Sequence, residues 1–142
     1  MDNLHEKAGS TNVLHLHGEL MKVRSTGPGE EIFTLSDDNY ETHPGDVCSE
    51  GFQLRPHIVW FGEAVPAMDQ AIRTVEEADI MLIIGTSMQV YPAAGLIHYV
   101  RSGVPVYLID PNEVGVYGRD ISVIKKGAGE GMKEFMNRLK NK

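Results

Sequence analysis

Two imidazoles stand two residues apart in His15-Leu16-His17-Gly18-Glu19, beside a glycine. On a strand such a pair shares one face. It can supply two metal ligands, or one ring can act as a general base where glycine lets substrate come close. It can equally be a pair of half-exposed polar residues on a sheet edge. A metal site needs a third ligand, and no neighbouring Asp, Glu or His offers convincing spacing. The second chemical element is Gly85-Thr86-Ser87, which ends the unbroken apolar run Ile80-Met81-Leu82-Ile83-Ile84. A Gly/Thr/Ser turn between a buried strand and a helix brings backbone N–H groups and hydroxyls to the carboxyl edge of a sheet. Open α/β folds bind nucleotides at that edge.

Three further groups are weaker on their own. Phe61-Gly62-Glu63 is a strand ending in a glycine turn, or an aromatic edge that accepts an extended peptide by strand addition. Asp110-Pro111-Asn112-Glu113 is a β-turn, or a carboxylate at a strand end that accepts from ribose hydroxyls. Gly127-Ala128-Gly129 is a connector, or a place where backbone approaches a flat ring.

These groups need a scaffold, and the apolar pattern describes one. Leu4 to Ala8 reads as a short helix stopped by Gly9, and Val13 to His17 as a strand. Residues 19–53 are polar and turn-rich, with a short apolar interlude at Ile32-Phe33, and read as an irregular insertion. His57 to Phe61 returns to strand character. Met68, Ala71, Ile72 and Val75 give helical spacing over Pro66 to Ala78. The run Ile80–Ile84, with no alternation, predicts a strand buried on both faces. A helix from Pro92 to Arg101 ends at Gly103. Strands follow at Val104–Ile109 and Ile121–Ile124, and Met132, Phe135, Met136 and Leu139 predict a closing helix. Strands alternating with helices indicate a parallel α/β sheet.

At 142 residues the chain is one domain, able to bury a core without staples. Its net charge of −7 argues against nucleic acid or an anionic membrane surface as partner; it is compatible with a basic, lysine-bearing one, and solubility alone explains it as well. No apolar run reaches the roughly 18 residues of a membrane span, and no leader-like segment opens the chain. A single cysteine, Cys48, forms no internal disulfide and builds no cysteine zinc site. A reducing, cytoplasmic setting is expected.

Taken together and in this order, the motifs resemble the sirtuins, the NAD-dependent protein-lysine deacylases. Asp2-Asn3-Leu4-His5-Glu6-Lys7-Ala8-Gly9-Ser10 resembles the stretch after that family's Thr-Gln-Asn. His15-Leu16-His17-Gly18-Glu19-Leu20 is similar to its catalytic histidine segment. Leu54-Arg55-Pro56-His57-Ile58-Val59-Trp60-Phe61-Gly62-Glu63 is similar to its substrate loop, and Gly85 to Ala93 to its NAD-contacting motif. The resemblance covers the chain and corresponds to the carboxyl-terminal portion of the family. It implies part of a Rossmann-like parallel sheet with flanking helices, with residues 1–19 and 55–142 in that part and about 20–54 a small insertion. It implies His17 as the catalytic base, deprotonating a ribose hydroxyl after the acyl oxygen of lysine displaces nicotinamide, and a structural role for His15. It implies NAD contacts from Asp2, Gly85, Thr86, Ser87, Asp110 and Ala128. The acyl-lysine tunnel would be walled by Val59, Phe61, Gly62 and Glu63, with Gln89, Val90 and Tyr91 as the facing strand.

The departures carry expectations too. Many sirtuins bind zinc through two cysteine pairs; with Cys48 alone, no zinc is expected. No counterpart of the family's amino-terminal Gly-Ala-Gly phosphate loop, its first strand, the following Arg or the Thr-Gln-Asn precedes Asp2. The resemblance therefore implies an amino-terminally truncated catalytic domain with weak NAD binding and little activity alone. Two alternatives stay open: a non-catalytic remnant that binds peptide at the Phe-Gly-Glu edge, and a metal-dependent hydrolase using His15 and His17. The family's bacterial members without zinc cysteines include desuccinylases as well as deacetylases.

Overall fold

The computed structural model describes residues 1–115 and 120–141, and these fall into two compact units, Met1–Ala67 and Met68–Lys142. The first unit opens with a short helix, α1 (Leu4–Lys7). An antiparallel sheet follows, with strands β1 (Gly18–Ser25), β2 (Ile32–Thr34) and β3 (Leu54–Ile58) in the order β2-β1-β3. Register is set by Val23 opposite Phe33 on one side and Pro56 on the other.

Two expectations are corrected here. The strand expected over Val13–His17 is absent: the chain turns at Leu16-His17, and β1 starts at Gly18 and runs to Ser25. The longest strand thus lies in a stretch that reads as irregular. Its polar residues explain both facts. Lys22 is tied to Glu19 at 2.7 Å, and Arg24 lies near Glu63, while Val23 and Ser25 point inward and are buried. Alternation of charged and buried positions is the signature of a half-solvated antiparallel strand. Because His15 and His17 are not on a strand, nothing forces their rings to share a face.

The irregular segment between β2 and β3 is organised by one side chain. Gln53 accepts the Gly45 N–H at 2.8 Å and donates to the carbonyls of His43, Asp46 and Leu54 at 3.1, 3.0 and 2.9 Å. Cys48 is buried beneath it, with the Ser25 hydroxyl 3.3 Å from its sulfur. That hydrogen bond holds the thiol below its ordinary pKa.

The second unit is a parallel sheet with helices against both faces. It comprises α2 (Met68–Glu76), β4 (Met81–Ile84), a 3₁₀ helix (Ala93–Tyr99), β5 (Val106–Ile109), β6 (Ser122–Ile124) and α3 (Ala128–Lys140), with strand order β4-β5-β6. Full burial on both faces belongs to β5, all four of whose residues are buried, not to β4, where Ile84 is 40% exposed. Central position, rather than unbroken apolarity, decides burial: β5 has a neighbour on each side and β4 pairs with β5. Val106 and Leu108 join Ile83, Ile97 and Val100 in one core cluster. Tyr107 and Ile109 join Ile124 and Phe135 in a second, where the Tyr107 and Phe135 rings meet edge-on at 5.0 Å.

The helix expected from Pro92 to Arg101 is a 3₁₀ helix. Ala94, Ile97 and Val100 are the buried positions. A spacing of three stacks them in one line on a 3₁₀ helix, whereas on an α-helix they would drift around the axis by about 60° at each step. Gly95 further weakens the competing α-helix. In α3, Met132, Phe135 and Leu139 face the core, whereas Met136 is 44% exposed.

Candidate active site

In the first unit the candidate base and the candidate substrate wall are tied backbone to backbone. The Val59 N–H donates to the His17 carbonyl at 3.1 Å, directly beyond the Gly18–Ile58 pair of β1 and β3. The His17 imidazole is half-buried and makes no hydrogen bond or ion pair among the described residues, so its lone pair is available to accept a proton. His15 is engaged instead: its Nε2 lies 2.5 Å from Glu6 Oε1 and 3.9 Å from Glu19 Oε2. This contact anchors α1 and holds the Glu6 carboxyl below its ordinary pKa. Among the described residues, no group of three His, Cys, Asp or Glu side chains is placed to hold a metal ion.

Gly18 does not open room for substrate. It is buried at φ +81°, and a Cβ there would stand 2.0 Å from the His57 carbonyl oxygen. The space beside the glycine is filled by the chain's own β3. Behind it lies a cavity of about 80 Å³ bordered by His15, Gly18, Arg24, His57 and Val59. Among the described residues the buried Nδ1 of His57 has no hydrogen-bond partner, and burial, with Arg24 nearby, pushes its imidazole below the ordinary histidine value. Asp2 is exposed. Its carboxylate accepts the Leu4 N–H at 3.0 Å at the start of α1, which lowers its pKa.

The loop after β3 is a turn closed by Glu63, whose N–H donates to the Trp60 carbonyl at 3.0 Å. Phe61 at its tip is 94% exposed and Trp60 53%. The Glu63 side chain reaches back into the unit. Arg55 meets it with both guanidinium nitrogens at 2.6 and 3.2 Å, and the Trp60 N–H donates to it at 3.0 Å. Arg55 first, then that N–H, hold its carboxyl below the usual glutamate range.

In the second unit the candidate cofactor residues gather at the carboxyl edge of the parallel sheet. Gly85, Thr86 and Ser87 follow β4, Asp110 follows β5, and Ala128 begins α3 just after β6. The Gly85 N–H donates to the Ile109 carbonyl at 3.0 Å, joining two of these strand ends. Thr86 Oγ1 accepts the Met88 N–H at 3.2 Å, and Asp110 accepts the N–H and side-chain amide of Asn112 at 2.8 and 3.2 Å. A Cβ at Gly85, Gly127 or Gly129 would meet nothing within 4 Å, so the edge is open backbone. Gln89, Val90 and Tyr91 are exposed and irregular. An open strand edge with hydroxyls, a buried carboxylate and a helix start fits the polar and anionic parts of a dinucleotide.

A model of the Sir2 family matches residues 1–92. The chain belongs to the Sir2 family. An NAD-dependent protein deacylase of Bacteroides thetaiotaomicron is 54% identical over 143 residues, covering 98% of this chain and 61% of the relative. The chain therefore spans about three fifths of that Sir2 relative's length. A solved Sir2 homologue–NAD complex superposes with a TM-score of 0.79 at 38% identity, covering 98% of this chain and 55% of that one. A Sir2 structure bound to a propionylated peptide gives 0.74 at 28% identity, covering 96% and 60%. Membership confirms the α/β, Rossmann-like fold class expected from the motifs. Three residues that organise the first unit carried no assigned role in the sequence: Arg24 and Arg55, which hold the Glu63 carboxylate, and Gln53, which ties its own loop together. Arg55 was legible only as part of the substrate-loop string, and its pairing with Glu63 was not. The reach of Gln53 across its own loop leaves no periodic signal.

Proposed function

We propose that the chain is the acyl-lysine-binding and base-bearing portion of an NAD-dependent protein-lysine deacylase of the deacetylase or desuccinylase type, working in the cytoplasm. The observation that carries the reading is His17, whose imidazole has no partner among the described residues and whose backbone carbonyl accepts the Val59 N–H at the root of the exposed Trp60–Glu63 turn. Asp2, Gly85, Thr86, Ser87, Asp110 and Ala128 hold the cofactor. Bound NAD supplies the ADP-ribose that takes the acyl group as nicotinamide leaves.

The chain's own residues then have separate tasks. His17 accepts a proton at an imidazole nitrogen during acyl transfer. Val59, Phe61 and Gly62 line the acyl-lysine, and the exposed Gln89–Tyr91 segment offers a backbone edge to an extended peptide. The substrate is an acylated lysine in a protein, not a nucleic acid or a membrane. No zinc is proposed for the step, since a single cysteine, Cys48, cannot build a four-thiolate site.

The test is release of nicotinamide that depends on NAD and an acyl-lysine peptide, measured on the 142-residue chain and on that chain joined to the portion of the Bacteroides thetaiotaomicron relative it does not cover. The joined protein is expected to deacylate, and the 142-residue chain by itself far more slowly. His17→Ala lowers kcat by about 10²–10⁴-fold, the usual contribution of a general base. Undiminished turnover in His17→Ala, or hydrolysis that needs a metal and no NAD, refutes the reading.

A further inference from the structure

Arg24 and Arg55 are direct cross-strand partners in the β1–β3 register. Like charges in that relation repel and weaken the pairing. The Glu63 carboxylate lies against both: Arg55 grips it with two nitrogens, and Arg24 Nη2 is 3.7 Å from Oε2. The same oxygen accepts the Trp60 N–H. One carboxylate thus neutralises an arginine pair in the sheet and closes the turn that carries Phe61.

We infer that Glu63 is a positioning residue: held by Arg55 and Arg24, its carboxylate sets the Trp60–Glu63 turn so that Phe61 meets an extended acyl-lysine peptide, and that carboxylate does not itself touch the peptide. The peptide half of this inference rests on the deacylase reading above. The clamp on the turn does not. A pair of parallel guanidinium–carboxylate bonds is directional as well as strong, so it fixes where the turn points rather than merely attracting it. Phe61, by contrast, has almost no packing to hold it in place.

Trp60 is the chain's single tryptophan, so its fluorescence reports this turn without interference. The experiment measures acrylamide quenching of Trp60 and the affinity for an acetyl-lysine peptide in the 142-residue chain, in Glu63→Gln and in Arg55→Lys. Far-UV circular dichroism checks the fold. Glu63→Gln is expected to raise the quenching constant and weaken the peptide by about tenfold, or 1.4 kcal/mol. Arg55→Lys, which keeps the charge but loses the two-pronged contact, falls between. Adding Arg24→Gln to Glu63→Gln, which relieves the exposed arginine repulsion, recovers part of the lost thermal midpoint.

Peptide binding that weakens while Trp60 quenching stays unchanged means that Glu63 contacts the peptide, and overturns the inference. So does a folded Glu63→Gln with wild-type quenching. If the wild-type chain binds no acetyl-lysine peptide, the deacylase reading loses its support here. The clamp is then judged by the Trp60 signal alone. If Glu63→Gln does not fold, Arg55→Lys decides by the same two readouts.

Discussion

Three glycines with similar sequence surroundings have opposite physical roles, and substitution separates them. At Gly18 both the positive φ and the 2.0 Å approach to the His57 carbonyl forbid a side chain, and the obstacle is backbone that cannot rotate away. Gly18→Ala is expected to cost about 2 kcal/mol or more in unfolding free energy, read by urea denaturation. Gly131, on the buried side of α3, would place a Cβ 2.2 Å from Ile109 Cγ2. Gly131→Ala should cost about 1–3 kcal/mol as an overpacked helix–sheet contact. Gly129, two residues earlier in the same helix, has open space around it. Gly129→Ala should stabilise by about 0.5–1 kcal/mol, the helix-propensity difference. Equal effects at Gly129 and Gly131 would contradict the packing of α3 on β5. The sequence shows a Gly-Ala-Gly before a helix and draws attention there, yet the glycine that the fold requires lies beyond it. Close approach is a property of two elements together, and only one of them is visible in a local string.

Elements differ in how plainly their sequences announce them. α2 and α3 follow from periodicity because each buries one face against the sheet, and the parallel strands from short unbroken apolar runs between turn residues. The 3₁₀ helix and β1 were not legible in the same way. A spacing of three is shared by both helix types over so short a span, and the charged residues of β1 find partners only through Glu19 and Glu63. α1 is the element with least to hold it. It has four residues, none buried, and is fixed by the Asp2 carboxylate at its start and by Glu6 against His15. Glu6 has a depressed pKa in the folded chain, so its contribution is present above the ordinary glutamate value of 4.5 and is lost as pH falls through the lower folded value. Amide exchange of Ala8, Gly9 and Ser10, whose N–H groups bond within this turn, is the direct measure. Glu6→Gln should accelerate it at pH 6, and wild type and variant should converge once pH drops below the titration of Glu6. Persistent protection in Glu6→Gln at pH 6 would show that α1 is held by something other than the His15 contact.

For the chain as a whole, motif order conveyed the family and fold class, while strand order and register had to come from the fold. Apolar runs say that a strand is buried, but its neighbours are set by pairing over long sequence separations. The whole-molecule property most open to sequence is charge, and it leads to a kinetic expectation. An acetylated lysine is neutral and a succinylated one is negative, so the net charge of −7 does not attract the reacting side chain. It attracts basic residues flanking that lysine. Such attraction acts over distances comparable to the Debye length, about 10 Å at 0.1 M salt, and raises association rates more than it slows dissociation. An acetyl-lysine peptide flanked by two arginines is therefore expected to associate about tenfold faster at 10 mM than at 500 mM salt, with its dissociation rate nearly unchanged. The same peptide with glutamine flanks should show a flat salt profile. Stopped-flow measurement on both peptides decides the matter: identical salt profiles would mean that the acidic balance of this chain serves solubility and has no part in selecting its partner.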